Sequence, residues 1–263
     1  MIKIENTEVF GWEATIRGMR NPKNSWDLSD SGWDWIPEHP PMTPDDDGWE
    51  FIIGPNDHKL MSSLAKGGPV HAKYRRMITV YMDVTAPFYW WKEFDTYKIG
   101  TVANSCSTMH KIHAKEFTLD DFSFDEDLMD EEIYWDVDAI IHGGDDLNHT
   151  HFDIQVHRVV EMCENLRKMY NHYMERSKAP ECTEAEKKHY ARAAKKCWRM
   201  LIQFLPTSYN QKRTIMLNYE VLHNIYHSRK NHKLTEWHTF CEWIENLPYS
   251  ELIIGEDTKN ISD

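Results

Sequence analysis

The sequence predicts an α+β fold on three observations. Ile78, Val80, Met82 and Val84 alternate with Thr79, Tyr81 and Asp83, the period-2 pattern of a strand with one buried face. Beyond residue 155 apolar side chains recur at spacings of three and four, the pattern of amphipathic helices. Strand patterns fall in the N-terminal half and helix patterns in the C-terminal half, so the two are segregated rather than alternating. A chain of 263 residues can bury a substantial core. The expectation is one domain over 1–263, with an irregular N-terminal segment over 1–66 and an acidic insertion over 117–150.

Taken in order, the first 60 residues read as irregular structure with short elements. Pro37, Pro40, Pro41 and Pro44 lead into Asp45-Asp46-Asp47-Gly48, a loop by composition. Gly67-Gly68-Pro69 is a second break, and Ala86-Pro87 ends the strand. Residues 88–99 read as a helix with Trp91, Phe94 and Lys98 near one face. From Phe117 to Ile141 the chain is acidic with interspersed apolar residues, a short strand pair or a lid, and 142–146 is a turn.

Four helices follow. In the first, Val156, Val159, Val160, Cys163, Leu166, Tyr170, Tyr173 and Met174 fall at spacings of three and four, and Pro180 breaks it. Thr183-Glu184-Ala185-Glu186 is a capping box that starts the second, which is read as burying Tyr190, Ala194, Cys197, Leu201 and Phe204 before Leu205-Pro206. The third is read from about Gln211 to His227, with Ile215, Leu222 and Tyr226 inward. The fourth carries Leu234, Trp237, Cys241, Ile244 and Leu247 up to Pro248. The tail after Gly255 is polar and read as frayed.

Composition excludes several functions. Trp, Tyr and Phe number 33, too many for a disordered chain. No apolar run approaches a bilayer span, and residues 1–6 carry no signal-peptide core, so a cytoplasmic protein with no membrane partner is expected. The five cysteines form no CxxC pair, which points to reduced thiols. A net charge of −13 disfavours coating a nucleic-acid polymer. The charge is uneven. Asp120 to Asp138 holds ten carboxylates and no Lys or Arg, whereas Thr183 to Lys233 holds eleven Lys or Arg against three Glu, a local +8. That basic third suits a small phosphorylated ligand, an acidic surface of another subunit, or plain solvated helix faces.

The densest chemistry lies in Asn104-Ser105-Cys106-Ser107-Thr108-Met109-His110. No apolar stripe runs through these residues. Their hydroxyls and amide suit a flat polar ligand, or a cap or turn. His223 and His227 are four apart, but position 224 is Asn rather than the glutamate of a zinc protease. His142, Asp145, Asp146, His149 and His151 form a second ligand-rich group, and no metal is expected at either. GxSxG, GxxxxGK[ST] and GxGxxG are absent, so a bound nucleotide must be held by side chains and helix N-termini.

The order of these features resembles the flavin-dependent thymidylate synthase family over roughly residues 69–247. A strand ends at Ala86-Pro87, and an aromatic helix leads to Asn104 and Ser107, closed by His110. A later helix ends at Leu205-Pro206, with Asn218 twelve residues on and Arg229 eleven beyond. The resemblance implies a twisted antiparallel sheet flanked by helices, FAD as cofactor, and one-carbon transfer to C5 of a pyrimidine deoxynucleotide. It also implies NADPH and methylenetetrahydrofolate as co-substrates, and a homotetramer. It places His71, Lys98, Asn104, His110 and Asn218 at the flavin. Ser105, Ser107, Lys111 and Arg229 go at the nucleotide, with Ser107 and Asn104 as the catalytic pair. The chain departs from the family signature at Tyr97, Lys98 and Ile99, where Arg-His-Arg stands, and at Met109, Ile202 and Glu220, where arginines stand. Two alternatives accompany this reading: a catalytically altered member that binds a nucleotide or a protein, and a histidine-based metal hydrolase.

Overall fold

The computed structural model describes residues 2–35, 49–124 and 152–255. The proline loop after Pro37, most of the acidic insertion, the turn at 142–146, the His142–His151 group and the tail beyond Gly255 lie outside the described residues. The chain divides into two compact units, one of 85–93 and 105–212, the other of 2–84, 94–104 and 213 onward.

The architecture is α+β, with an antiparallel sheet flanked by helices. Six strands are described: β1 (Lys3–Phe10), β2 (Gly32–Trp35), β3 (Trp49–Ile52), β4 (Thr79–Pro87), β5 (Val102–Ser105) and β6 (Asn210–Asn218). Four of them form one sheet in the order β1-β4-β6-β5. Tyr219 N–H donates to Ile78 O, the Thr214 hydroxyl donates to Asp83, and Phe88 N–H donates to Tyr209 O. The partners step in opposite directions along β4 and β6, which is antiparallel pairing. β2 and β3 form a separate two-stranded ribbon.

In the second unit, β4 behaves as its alternation predicts. Val80, Met82 and Val84 are buried, while Tyr81 is exposed. On the neighbouring strand β6, Ile215 and Leu217 are buried as well. Helices α6 (Tyr219–Arg229), α7 (Thr235–Glu245) and α8 (Glu251–Ile254) add Leu222, Ile225, Trp237, Phe240 and Ile253 to the core. Each such side chain withdrawn from water is worth about 1.5–3 kcal/mol. Helices α1 (Trp12–Arg20) and α2 (Pro55–Lys66) complete this unit.

The first unit holds most of α3 (Phe88–Phe94) and a long helical hairpin of α4 (Phe152–Arg176) and α5 (Glu184–Phe204). Its core gathers Ile112, Phe117, Phe122, Val160, Cys163, Leu166 and Leu201. The capping box at Thr183 forms as read: the hydroxyl accepts from Glu186 N–H, and the Glu186 carboxylate accepts from Thr183 N–H.

Four sequence expectations change. The helix read over 211–227 is a strand to Asn218 followed by α6, because pairing with β4 fixes Ile215 and Leu217 on one face. The helix read over 88–99 stops at Phe94, and Lys98 is exposed. Phe204 is 54% exposed, because α5 ends there and its last turn leaves the hairpin core. The N-terminal 60 residues contain β1, α1 and α2, whose polar faces hide them from an apolar count.

Candidate functional site

The segment singled out in the sequence runs along β5 into a tight turn. Within the first unit, Cys106 N–H donates to Lys212 O at 2.9 Å, and the Gln211 amide donates to Cys106 O at 2.8 Å. These two bonds carry the ladder past the end of β5. The Ser107 hydroxyl oxygen then accepts from His110 N–H at 3.0 Å, and Lys111 N–H donates to Ser107 O. This is the local hydroxyl-to-backbone bond that favours serine at a turn.

The far side of the turn is pinned to α4 and α5. The Trp198 indole N–H donates to Met109 O at 2.8 Å. Arg167 and Asn171 both donate to His113 O. Glu164, buried, accepts from Phe117 N–H at 3.1 Å and takes a two-pronged bond from Arg167 at 2.6 and 2.7 Å. The Arg167 fork holds the Glu164 carboxyl down at about 2 despite its burial, with the Phe117 N–H helping. Burial pushes the His113 imidazole below its usual range, and Lys111 and Arg167 add to this, so the ring is neutral near pH 7.

Between these anchors lies a cleft of about 340 Å³. Ser107, Thr108, Lys111, Lys115, Asn210, Gln211 and Lys212 line it, with the carboxylates Glu116 and Asp121 and the apolar Ile112, Phe117 and Tyr209. The Cys106 thiol is exposed at this cleft. Lys115 is committed to Asp121 at 2.7 Å, whereas Lys111 forms no ion pair among the described residues. Burial pushes the Tyr209 hydroxyl up to about 12, with Asp121 and Cys106 adding to it, so it stays a neutral donor. Apolar side chains with a few convergent polar groups and cations are the usual make-up of a small-molecule site. Lysines, hydroxyls and amides together suit an anionic ligand with a polar ring.

Sequence reasoning named Ser107 and Lys111 here and missed Lys115, Asn210, Gln211 and Lys212. The last three stand on β6, which the sequence reads as helix. Ser105 and His110 are exposed in the same unit.

The remaining named residues belong to the second unit. Arg229 Nε donates to the Tyr97 hydroxyl at 2.9 Å, and its guanidinium lies over Tyr97 at 5.7 Å and over Trp237 at 4.8 Å. Asn218 caps α6, its carbonyl oxygen accepting from Val221 N–H at 3.1 Å. Its amide nitrogen packs on Gly100, where φ is +82° and a Cβ would approach to 2.9 Å. His71, Lys98 and Asn104 are exposed. The rings of His223 and His227 lie 4.4 Å apart, and His223 Nδ1 meets Ile253 O at 2.6 Å. Among the described residues no three His, Cys, Asp or Glu side chains come together as a metal site. No described helix is long and apolar enough to cross a membrane.

No protein-family model matches this chain, and no curated protein matches it by sequence. Solved structures do. Two of thymidylate synthase X from Helicobacter pylori with FAD and dUMP match at TM-scores of 0.58 and 0.57 and 13% identity, covering 98% and 97% of this chain and 98% of theirs. A UMP/dUMP methylase, PolB, from Streptomyces cacaoi bound with 5-Br dUMP matches at TM-score 0.51 and 13% identity, over 93% of this chain and 88% of that one. The chain therefore has the fold of thymidylate synthase X, reached through a sequence that shares little with it.

Proposed function

We propose that this chain binds a pyrimidine nucleotide in the cleft beside the start of β6. The observation that carries this reading is the convergence of Ser107 and Lys111 with Asn210, Gln211 and Lys212 around one 340 Å³ space. The Lys111 ammonium meets the phosphate as a point charge, in place of an arginine fork. The Ser107 and Thr108 hydroxyls address the polar edge of the base, Phe117 and Tyr209 supply apolar contact, and Asn210 and Gln211, bonded to Asp120 O and Cys106 O, brace the wall.

A second reading, flavin-dependent one-carbon transfer to C5 of that base, is favoured by the shared fold. When bound, FAD would supply the hydride, with NADPH and methylenetetrahydrofolate as co-substrates. The donor set in this chain does not fit FAD in the way the resemblance implies. The Asn218 carbonyl oxygen is committed to the α6 cap. His71, Lys98, Asn104 and His110 are exposed, and they bring one ammonium and no guanidinium to a diphosphate. Nucleotide binding thus stands ahead of the flavin reaction.

Calorimetric titration with dUMP tests the first reading, and the visible spectrum with and without added FAD tests the second. The expectation is dUMP binding that Lys111→Ala weakens by about tenfold or more, the worth of one hydrogen bond to a charged group. Absence of dUMP binding at millimolar concentration would defeat the nucleotide reading. A yellow complex that bleaches with NADPH would restore the flavin reading to first place.

A further inference from the structure

A second space opens beside the turn that follows β5, wholly within the first unit. It measures about 300 Å³ and shares no lining residue with the nucleotide cleft. The turn serves both. Ser107, Thr108 and Lys111 line the cleft, while Met109, His110 and His113 line this pocket. The rest comes from the helical hairpin. Tyr170 and Met174 are four apart on α4, and Ala191, Lys195 and Trp198 are four and three apart on α5, so each set stands on one helix face.

The walls are pinned through the backbone of the turn. The Trp198 indole N–H donates to Met109 O at 2.8 Å, and Arg167 and Asn171 donate to His113 O at 3.4 and 3.2 Å. The His113 and Tyr170 rings meet with centroids 4.6 Å apart and planes at 50°. Walls bonded in this way need little ordering when a ligand enters.

The lining chemistry defines that ligand. Tyr170, Trp198 and His113 offer ring surfaces, which favour edge and offset contacts with another ring. Met109 and Met174 add thioethers, which make favourable contacts at aromatic edges. Among the described residues Lys195 is the one lysine or arginine lining the pocket. It is exposed and forms no ion pair with a described residue. No lining residue is a carboxylate. Burial holds the His113 imidazole neutral, with Lys111 and Arg167 adding to this, so the surroundings are positive while the ring carries no charge. His113 Nδ1 is buried and meets no hydrogen-bond partner among the described residues, so the ring keeps capacity that the chain does not use. The volume limits size. About 300 Å³ is the small end of ligand pockets, enough for one or two fused rings and too little for a dinucleotide.

We propose that this pocket binds a flat aromatic carboxylate of one or two rings, its ring against Tyr170, Trp198 and the two methionines and its carboxylate on Lys195. The site stands apart from the nucleotide reading, and either can fail without the other.

The test labels the full chain with [methyl-¹³C]methionine and assigns the Met109 and Met174 methyl signals with Met109→Leu and Met174→Leu. The probe is 2-naphthoate, and 2-naphthamide is its uncharged match. Saturable shifts of both signals are expected with 2-naphthoate at a sub-millimolar dissociation constant, and binding about tenfold or more weaker with the amide. Lys195→Met keeps an apolar stem of similar length and should erase that difference. Ala191→Trp fills the pocket from an exposed helix position and should abolish binding. Lys188→Met, exposed on the same helix outside the pocket, should change neither. Absence of saturable shifts up to several millimolar probe overturns the proposal. Equal binding of the amide, a carboxylate preference that survives Lys195→Met, or binding unmoved by Ala191→Trp does so as well. Displacement of the probe by dUMP also overturns it, because the space would then belong to the nucleotide cleft.

Discussion

Glu164→Gln isolates the anchor that holds Phe117 at the cleft. The substitution keeps the side chain's shape and leaves one oxygen to accept from Phe117 N–H, but it removes the charge opposite Arg167. A carboxyl that titrates at 4.5 in the unfolded chain titrates at about 2 when folded, chiefly because of the Arg167 fork. At about 1.4 kcal/mol per factor of ten, that displacement is worth about 3 kcal/mol. The folded pKa is depressed, so this contribution is fully present above about pH 4.5 and is lost as the pH falls toward 2. Side-chain exposures of 9% for Glu164 and 15% for Arg167 leave little solvent to screen the pair. The variant also strands a guanidinium in that setting, which sets a cost of the same order, about 3 kcal/mol. The assay is hydrogen exchange by mass spectrometry on the peptide spanning 113–122, at neutral pH and across an acid series. Faster exchange by about two orders of magnitude is expected at neutral pH for a 3 kcal/mol loss, with the gap to wild type closing in acid. Exchange within a factor of about five of wild type, about 1 kcal/mol, would refute the reasoning.

Three further outcomes follow from the same structure. Gly100→Ala forces a side chain into a φ of +82° and against the Asn218 amide, so a loss of about 1–3 kcal/mol in urea unfolding is expected. Asn218→Ala removes the α6 cap, and circular dichroism melts should report about 1 kcal/mol less stability, with Asn218→Asp restoring most of it. His223 and His227 titrate below 6.5, mainly because burial disfavours their charged forms, with Arg75 adding to this. The folded chain then binds fewer protons than the unfolded one below that value. Stability should be at its full level above about pH 6.5 and decline as the pH falls below it. Thermal melts of His223→Gln with His227→Gln should show a shallower decline, and an unchanged slope would remove the pair from the account.

How much of this was legible in the sequence depended on whether a residue's role is set locally. The β4 alternation and the Thr183 capping box were readable because each acts within a few residues. β6 was not. Its first half, Gln211-Lys212-Arg213-Thr214, is polar, and Ile215, Leu222 and Tyr226 happen to suit a helical period. Only pairing with β4 decides the matter, and that partner lies far away in the chain. The site follows the same rule. Ser107 and Lys111 share one turn and were found together. Gln211 and Lys212 reach the cleft through the bonds to Cys106, and Asn210 through bonds with Ser123 and Asp120, contacts that no local pattern announces. Conversely, the spacing of His223 and His227 was plain, while the Ile253 carbonyl that engages His223 was not.

The β2–β3 ribbon has a practical corollary. At its root the buried Asp57 carboxylate accepts from the Ser29 and Ser31 hydroxyls and from Asp30 and Ser31 N–H, and it pairs with Arg20. The Ser31 hydroxyl in turn accepts from Gly54 N–H. A single carboxylate grips both the approach to residue 32 and, through Ser31, the exit at residue 54, so the excursion leaves and rejoins the body at nearly one point. A designer can therefore excise 33–51, bridge the stump with a short glycine-containing turn, and keep Arg20, Ser29, Ser31 and Asp57 intact beneath it. The same stump would accept a foreign hairpin, making this spot a natural socket for grafted sequences.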